Sequence, residues 1–283
     1  MKILLIHPGQ KNDLDSKIIR EIPYLFSEAF FAPHSIASVA ALTPNSHSVK
    51  LHDELIHGPA IDEINRNSYD IVGFSITTNQ LNRCLEIAAY CKEKSPKTTI
   101  VAGGIGVEYL VHDTENVIDV IFHGETEETW PEFISDFENK NFKTKYKNIS
   151  KPDMTKAPAP KWELLGENIL KYNAISVQTT RGCPFDCNFC DVIYTYGRIP
   201  RTKTITQVMN EIKKLQEIGI KMIFFADDNF SGNKRYTKEL LRELIPFNNS
   251  LDNPIGFLTQ LDITISKDEE LLELLADSNF YCG

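Results

Sequence analysis

The chain has 283 residues, of which 42% are hydrophobic, and a formal charge of −9 at pH 7. This mixture suits one large or two ordinary folded domains and excludes a disordered chain. The acidic balance argues against a nucleic-acid backbone as partner, and no run of ~18 apolar residues offers a membrane span. Met1-Lys-Ile-Leu-Leu-Ile-His-Pro8 is too short and too strand-like for a signal peptide. Six Cys, three of them clustered, fit a reducing cytoplasm, where grouped thiols are metal ligands more often than disulfides.

The first half alternates strands and helices. Short apolar runs at Ile3–Ile6, Ser48–Leu51, Ile71–Ile76, Thr99–Ala102 and Val117–Phe122 read as strands, and Ser35–Leu42 and Leu81–Lys94 as helices between them. A further helix is expected over Glu127–Phe137, with Glu125, Glu127 and Glu128 flanking its start, where carboxylates favour the dipole. Alternation of this kind predicts a doubly wound parallel sheet of flavodoxin-like (Rossmann-type) order, with its ligand crevice beyond the carboxyl ends of the strands. The loops at those ends are Pro8-Gly9, Asp53-Glu54, Thr77-Thr78-Asn79, Gly103-Gly104 and Gly124-Glu125. Small, hydroxylated and glycine residues converge there, which lets a large flat or phosphate-bearing ligand approach the backbone. Cys84 and Cys91 lie about 10 Å apart along one helix, too far for a disulfide, and read as packing residues. His34, His52, His57, His112 and His123 fall near element ends, where a cap or surface role is the ordinary one.

Polar residues over 139–148, then Pro152, Pro158 and Pro160, mark a join, and Trp162–Leu165 reads as a short helix leading onward. The organisation expected is a domain over 1–146, a linker over 147–172 and a second domain over 173–283. In that second domain strands are expected at Ala174–Gln178, Lys221–Ala226 and Ile255–Thr259, with helices at Thr206–Ile218, Asn233–Ile245 and Lys267–Asp277. Phe280–Gly283 opens a fourth strand. Strand, helix and parallel return make the unit of a β/α barrel, whose site lies at the strand carboxyl ends. Two loops sit at such ends. One is Asp227-Asp228-Asn229. The other is Thr180-Arg-Gly-Cys-Pro-Phe-Asp-Cys-Asn-Phe-Cys190, a C-x3-C-x2-C triplet of Cys183, Cys187 and Cys190. Three thiolates so close suit a soft metal centre. A cubane held wholly by protein takes four Cys, and with no fourth nearby one iron is left open to another ligand. A structural zinc site with a distant fourth ligand is the bland alternative.

The triplet, with Arg181-Gly182 before it and the aromatic Phe189 before its last Cys, resembles the signature of the radical S-adenosylmethionine (SAM) enzymes. The resemblance implies a 4Fe–4S cluster on the three thiolates, with SAM chelating the fourth iron and cleaved to a hydrogen-abstracting deoxyadenosyl radical. It places Phe189, Asp227 and Asp228 among the cofactor-binding residues, the acidic turn meeting the amino group of SAM; capping of the following helix is the plainer role for the two acids. Gly182 is expected to permit close approach of the bulky centre, and Arg198 and Arg201 to meet the SAM carboxylate or the nucleotide, or simply solvent. The first half resembles the cobalamin-binding domain found ahead of many such cores. The matching stretches are Ala32–Ala37, Ala40–Pro44, Asp53-Glu54, Val72–Thr78, Ala102–Gly104 and His123–Glu127. Ser75, Thr77, Gly103 and Gly104 are the residues it sets against cobalamin. The motif D-x-H-x-x-G is missing after the first strand, so cobalt is expected to be held without a protein His.

The fold expected is therefore a cobalamin-binding-like domain followed by an incomplete radical SAM partial barrel, truncated at its C-terminal side. About three strand–helix units fit after residue 173, whereas the family's partial barrel has six. The function implied is reductive cleavage of SAM with cobalamin-dependent methylation of an unactivated carbon. Radical cyclisation, rearrangement or oxidation, or a non-catalytic cofactor-binding fragment, are the alternatives. The partners implied are a small-molecule or lipid-like substrate and an external electron donor such as flavodoxin or ferredoxin.

Overall fold

The computed structural model describes residues 1–9, 29–110 and 117–281. His112, Cys282 and Gly283 lie outside the described residues. The chain divides into two compact units, the first holding Met1–Ala29, Pro33–Pro152 and Pro160–Lys171, the second Phe30–Ala32, Asp153–Ala159 and Tyr172–Gly283.

The strands, in chain order, are β1 (Lys2–His7), β2 (Ala29–Phe31), β3 (Ser48–Asp53), β4 (Ile71–Ser75), β5 (Thr99–Gly103), β6 (Val120–His123), β7 (Lys145–Lys147), β8 (Tyr172–Val177), β9 (Thr180–Arg181), β10 (Arg201–Thr202), β11 (Met222–Phe225) and β12 (Gly256–Thr259). In the first unit a six-stranded sheet runs β3-β1-β4-β5-β6-β7. Every adjacent pair in it is parallel, Leu4 facing Lys50 on one side and Val72 on the other. Its first five strands follow the flavodoxin-like order. Four successive residues of β1, Ile3–Ile6, are buried, as befits a strand covered on both faces. The longer helices here are α1 (His34–Leu42), α2 (Ala60–Arg66), α3 (Leu81–Lys94) and α4 (Thr129–Glu138). Cys84, Ile87, Ala88 and Cys91 form the inner stripe of α3 against Leu4, Val72, Phe74 and Ile100. Both thiols are free and buried, in packing roles.

The sixth strand departs from the expected polar join. Lys145-Tyr146-Lys147 pairs with β6, and Tyr146 alone turns inward, stacking on Phe122 at 5.3 Å while its hydroxyl donates to Asp136 at 2.7 Å. One buried aromatic between two lysines leaves too little apolar signal to read as a strand. The lysines also guard the sheet edge.

The second unit is built on a four-stranded sheet of order β12-β11-β8-β2. Pairs β12–β11 and β11–β8 are parallel, and α5 (Ile205–Ile218), α6 (Lys234–Asn249) and α7 (Glu269–Asp277) follow β8, β11 and β12 in the chain. These are the strand–helix repeats that the sequence predicts. Strand β2 was not expected. A piece of the N-terminal half adds itself beside β8, and its neighbour Ala32 donates its backbone N–H to Ala174 at 3.3 Å. Phe280 makes one parallel bridge to Phe257, and Phe225, Phe230, Phe257 and Phe280 stack into one core with ring spacings of 5.0 to 5.7 Å.

Candidate functional site

In the second unit the triplet sits on an excursion between β9 and β10, which pair antiparallel through Thr180–Thr202 and Arg181–Arg201 and so close its base. Cys183 and Cys190 are half-buried, Cys187 is exposed, and all three are free. Backbone bonds shape the loop: Cys183 N–H donates to Gly197 at 3.1 Å and Cys190 N–H to Cys187 at 3.0 Å. Gly182 has φ +101°, and a Cβ there would lie 2.9 Å from the carbonyl oxygen of Gly197 and 3.1 Å from that of Ile199. Its missing side chain therefore serves the loop's own closure, where sequence reasoning had assigned it to a bound centre. Phe189 is 91% exposed. Arg198 pairs with Asp186 at 3.0 Å.

The acidic turn after β11 holds the base of this loop. Asp227 is buried and accepts hydrogen bonds from the backbone N–H groups of Thr179 at 2.7 Å and Thr180 at 3.0 Å, and from the Thr179 hydroxyl. Burial pushes its carboxyl up to about 6, against the opposing pull of those bonds. The geometry makes Asp227 a clamp on the two residues that lead into the triplet. Asp228 is half-exposed and accepts the Gly182 N–H at 2.7 Å. Lys203, buried and paired with the buried Glu211, donates its backbone N–H to Thr179 at 2.9 Å and anchors the other side of the base.

Asn229 completes the turn. Its side-chain oxygen accepts from Ser231 N–H at 3.1 Å and lies 2.8 Å from Ser231 Oγ. Its Nδ2 donates to Asp262 Oδ2 at 3.1 Å and points at Cys183 Sγ at 3.8 Å. Burial alone would raise the Asp262 carboxyl. Hydrogen bonds from Ser231, Thr264 and Asn229 override it and hold that carboxyl down at about 2. Among the described residues no three His, Cys, Asp or Glu side chains form a ready-made metal cage. By donor chemistry the triplet fits an iron–sulfur cluster: three accessible free thiols on one short loop, with a neutral amide donor turned to one of them.

In the first unit the carboxyl ends of β1, β3, β4 and β5 form the second candidate site. Ser75 and Gly103 are half-exposed there, Thr77 and Gly104 exposed. Gly104 has φ +93°, and a Cβ on it would fall 2.5 Å from the Ile76 carbonyl oxygen. Ile76 N–H donates to Gly103 at 2.9 Å and Gly106 N–H to Ile76 at 3.0 Å, so the two loops run flush. At Gly103 an added Cβ meets only Phe122, its Cβ at 3.4 Å and its carbonyl oxygen at 3.9 Å. Gln80 closes a capping box with Thr77 and reaches across to the Pro8 carbonyl at 2.7 Å and His7 Nε2 at 3.0 Å. Burial lowers the His7 pKa, with Asp53 and Glu54 opposing more weakly. Beneath lies Glu54, whose carboxylate accepts Gly9 N–H at 3.0 Å, Ala60 N–H at 2.8 Å and both arms of Arg83 at 2.9 and 2.7 Å. Burial raises this carboxyl, but the Arg83, Ala60 and Gly9 bonds outweigh it and leave the pKa lowered. This edge of small residues and bare backbone suits a broad, flat ligand such as a corrin. His7 Nε2 is set against Gln80 while its buried Nδ1 has no hydrogen-bond partner among the described residues, and His123 sits on Glu108 at 2.8 Å.

Sequence reasoning missed the Glu54–Arg83 pair, Gln80, the Lys203–Glu211 pair and the Asn229–Ser231–Asp262 network. Only Asn229 and Glu54 carried a signal, each as the neighbour of a residue singled out for another reason.

Comparison with known proteins agrees with both halves. Residues 28–134 match the B12 binding domain and residues 177–281 the radical SAM superfamily. An uncharacterized methyltransferase of Synechocystis sp. is 32% identical over 251 residues, covering 88% of this chain and 46% of its own length. The hopanoid C-2 methylase of Rhodopseudomonas palustris is 29% identical over 259 residues, covering 89% and 47% respectively. The chain thus spans about half the length of the curated relatives it matches. Among solved structures, the radical SAM methyltransferase TsrM of Kitasatospora setae, with cobalamin and a [4Fe-4S] cluster bound, superposes with a TM-score of 0.71 at 17% identity. The match covers 99% of this chain and 57% of that one, and it speaks to the fold.

Proposed function

Since this chain belongs to the radical SAM superfamily, in the branch that carries a B12 binding domain ahead of the radical SAM domain, we propose that it serves cobalamin-dependent methylation of an unactivated carbon. The observation that carries this reading is the joint presence of three free thiols at the carboxyl side of β8 and an edge of small residues on a flavodoxin-like sheet. When bound, the cofactors supply a hydrogen-abstracting radical and a methyl donor; the protein's part is to position them. Cys183, Cys187 and Cys190 bind the 4Fe–4S cluster, and Asp227 clamps the strand that presents them. Asp228 and Phe189 face SAM. Ser75, Thr77, Gly103 and Gly104 lie against cobalamin, which is held without a protein His. The two domains of this assignment follow the two compact units, the first reaching Pro152 and taking in Pro160–Lys171 and the second holding Asp153–Ala159 and the chain from Tyr172, in place of boundaries at 146 and 173. The substrate is a small or lipid-like molecule, and the electron comes from a donor such as flavodoxin or ferredoxin in a reducing cytoplasm. No helix among the described residues is long and apolar enough to cross a membrane.

Anaerobic reconstitution with iron, sulfide and cobalamin, read by absorption and paramagnetic resonance, tests the reading. About four irons per chain are expected, with deoxyadenosine released from SAM on reduction and a methyl group added to the product. An added ring bond or oxidation without a methyl would point to another radical reaction. Retention of iron by the variant with all three Cys changed to Ala would refute the ligand assignment.

A further inference from the structure

The Asn229 side chain is held in one orientation from two sides. On one side Ser231 N–H, which can only donate, requires the amide oxygen; on the other the Asp262 carboxylate, which can only accept, requires the NH2. With the flip thus decided, the amide has two N–H bonds to place. One goes to Asp262 Oδ2 at 3.1 Å and the other is left for Cys183 Sγ at 3.8 Å. Asn229 is 5% exposed and Ser231 2%, so solvent competes little for these bonds. The single hydroxyl proton of Ser231 goes to Asp262 Oδ2 at 2.6 Å, tying the acceptor in place. Capping the turn needs only the oxygen of Asn229, so the aim of its nitrogen at a ligand sulfur is additional to the cap.

We propose that Asn229 is a positioning residue that sets the reduction potential of the cluster, by directing one amide N–H at the sulfur of Cys183 while Asp262 and Ser231 lock its orientation. The inference rests on the reading of Cys183 as a cluster ligand. A one-electron reduction adds negative charge that spreads onto the ligand sulfurs. A donor dipole aimed at one of them favours the reduced form and raises the potential. The electron comes from the external donor, and no bond in Asn229 forms or breaks.

The test is a dithionite potentiometric titration of the reconstituted protein, with iron counted first in each sample. Asn229→Leu keeps the size and removes both donor and cap. Asn229→Asp keeps an oxygen for Ser231 and replaces the donor by an anion. At a fixed poise the reduced-to-oxidised ratio should fall about tenfold in Asn229→Leu, ~59 mV for one electron, and further in Asn229→Asp. A wild-type potential in Asn229→Asp beside a lowered one in Asn229→Leu would show that capping alone matters. Equal potentials in all three loaded proteins would also overturn the proposal, as would loss of iron in both variants alone, which would give Asn229 a purely structural role. Wild-type protein that takes up no iron would instead refute the ligand reading itself, a separable result.

Discussion

Gly104 is where the first unit's site is most sensitive to a single atom. It occupies φ 93°, ψ 172°, and Gly58 occupies nearly the same backbone region at φ 76°, ψ −169°. The two positions differ in what surrounds them. A Cβ at Gly58 meets nothing within 4 Å among the described residues, whereas one at Gly104 lies 2.5 Å from Ile76 O and 2.9 Å from Ile76 N, both backbone. Gly58→Ala should therefore pay only the conformational strain, about 2 kcal/mol. Gly104→Ala should pay the same strain and in addition push back the β4 loop. That breaks the Ile76–Gly103 and Gly106–Ile76 bonds, at about 1 kcal/mol each, for a loss of about 4 kcal/mol. Gly103→Ala, with its added Cβ 3.4 Å from Phe122, should lose less than about 1 kcal/mol. Both tryptophans, Trp130 and Trp162, belong to the first unit, so urea unfolding followed by their fluorescence reports on it. The midpoint should fall in the order Gly103→Ala, Gly58→Ala, Gly104→Ala, with m unchanged. If Gly104→Ala proved no worse than Gly58→Ala, the flush packing of the two loops would not be what requires glycine there.

Two further outcomes follow from buried charge. Arg83→Met should destabilise the first unit by about 3 kcal/mol, because it strips the bidentate partner from a fully buried Glu54 and leaves only two backbone donors; a loss under about 1 kcal/mol in the same urea assay would contradict that. Asp227, with a folded pKa of about 6 against an ordinary 3.8, binds its proton more tightly in the folded state. Its favourable contribution is complete below about pH 4 and lost as pH rises through about 6, a swing of about 3 kcal/mol. Circular dichroism of urea unfolding between pH 4 and 7 should show this fall in the wild type and its flattening in Asp227→Asn; parallel profiles would refute it.

The first sheet and the strand–helix repeats of the second were legible because buried parallel strands are written as continuous apolar runs, such as Ile3–Ile6 and Ile71–Phe74. The triplet was legible because its three thiols fall in one short span of sequence. Strand β7 was not, since one tyrosine between two lysines carries almost no pattern. Strand β2 was not, since nothing in Ala29–Phe31 says which sheet will receive it. The same limit applied to the site's supports. Residue types and spacing could nominate Cys183 and Asp227, but Asp227 turned out to spend its carboxylate on Thr179 and Thr180, 48 and 47 positions away. Arg83 reached Glu54 across 29 positions, and Asp262 reached Asn229 across 33. Local sequence determines periodicity, turns and the identity of donor atoms, because these depend on neighbours a few residues apart. Which buried charge meets which partner is decided only when distant segments pack together and each desolvated group must find a hydrogen bond.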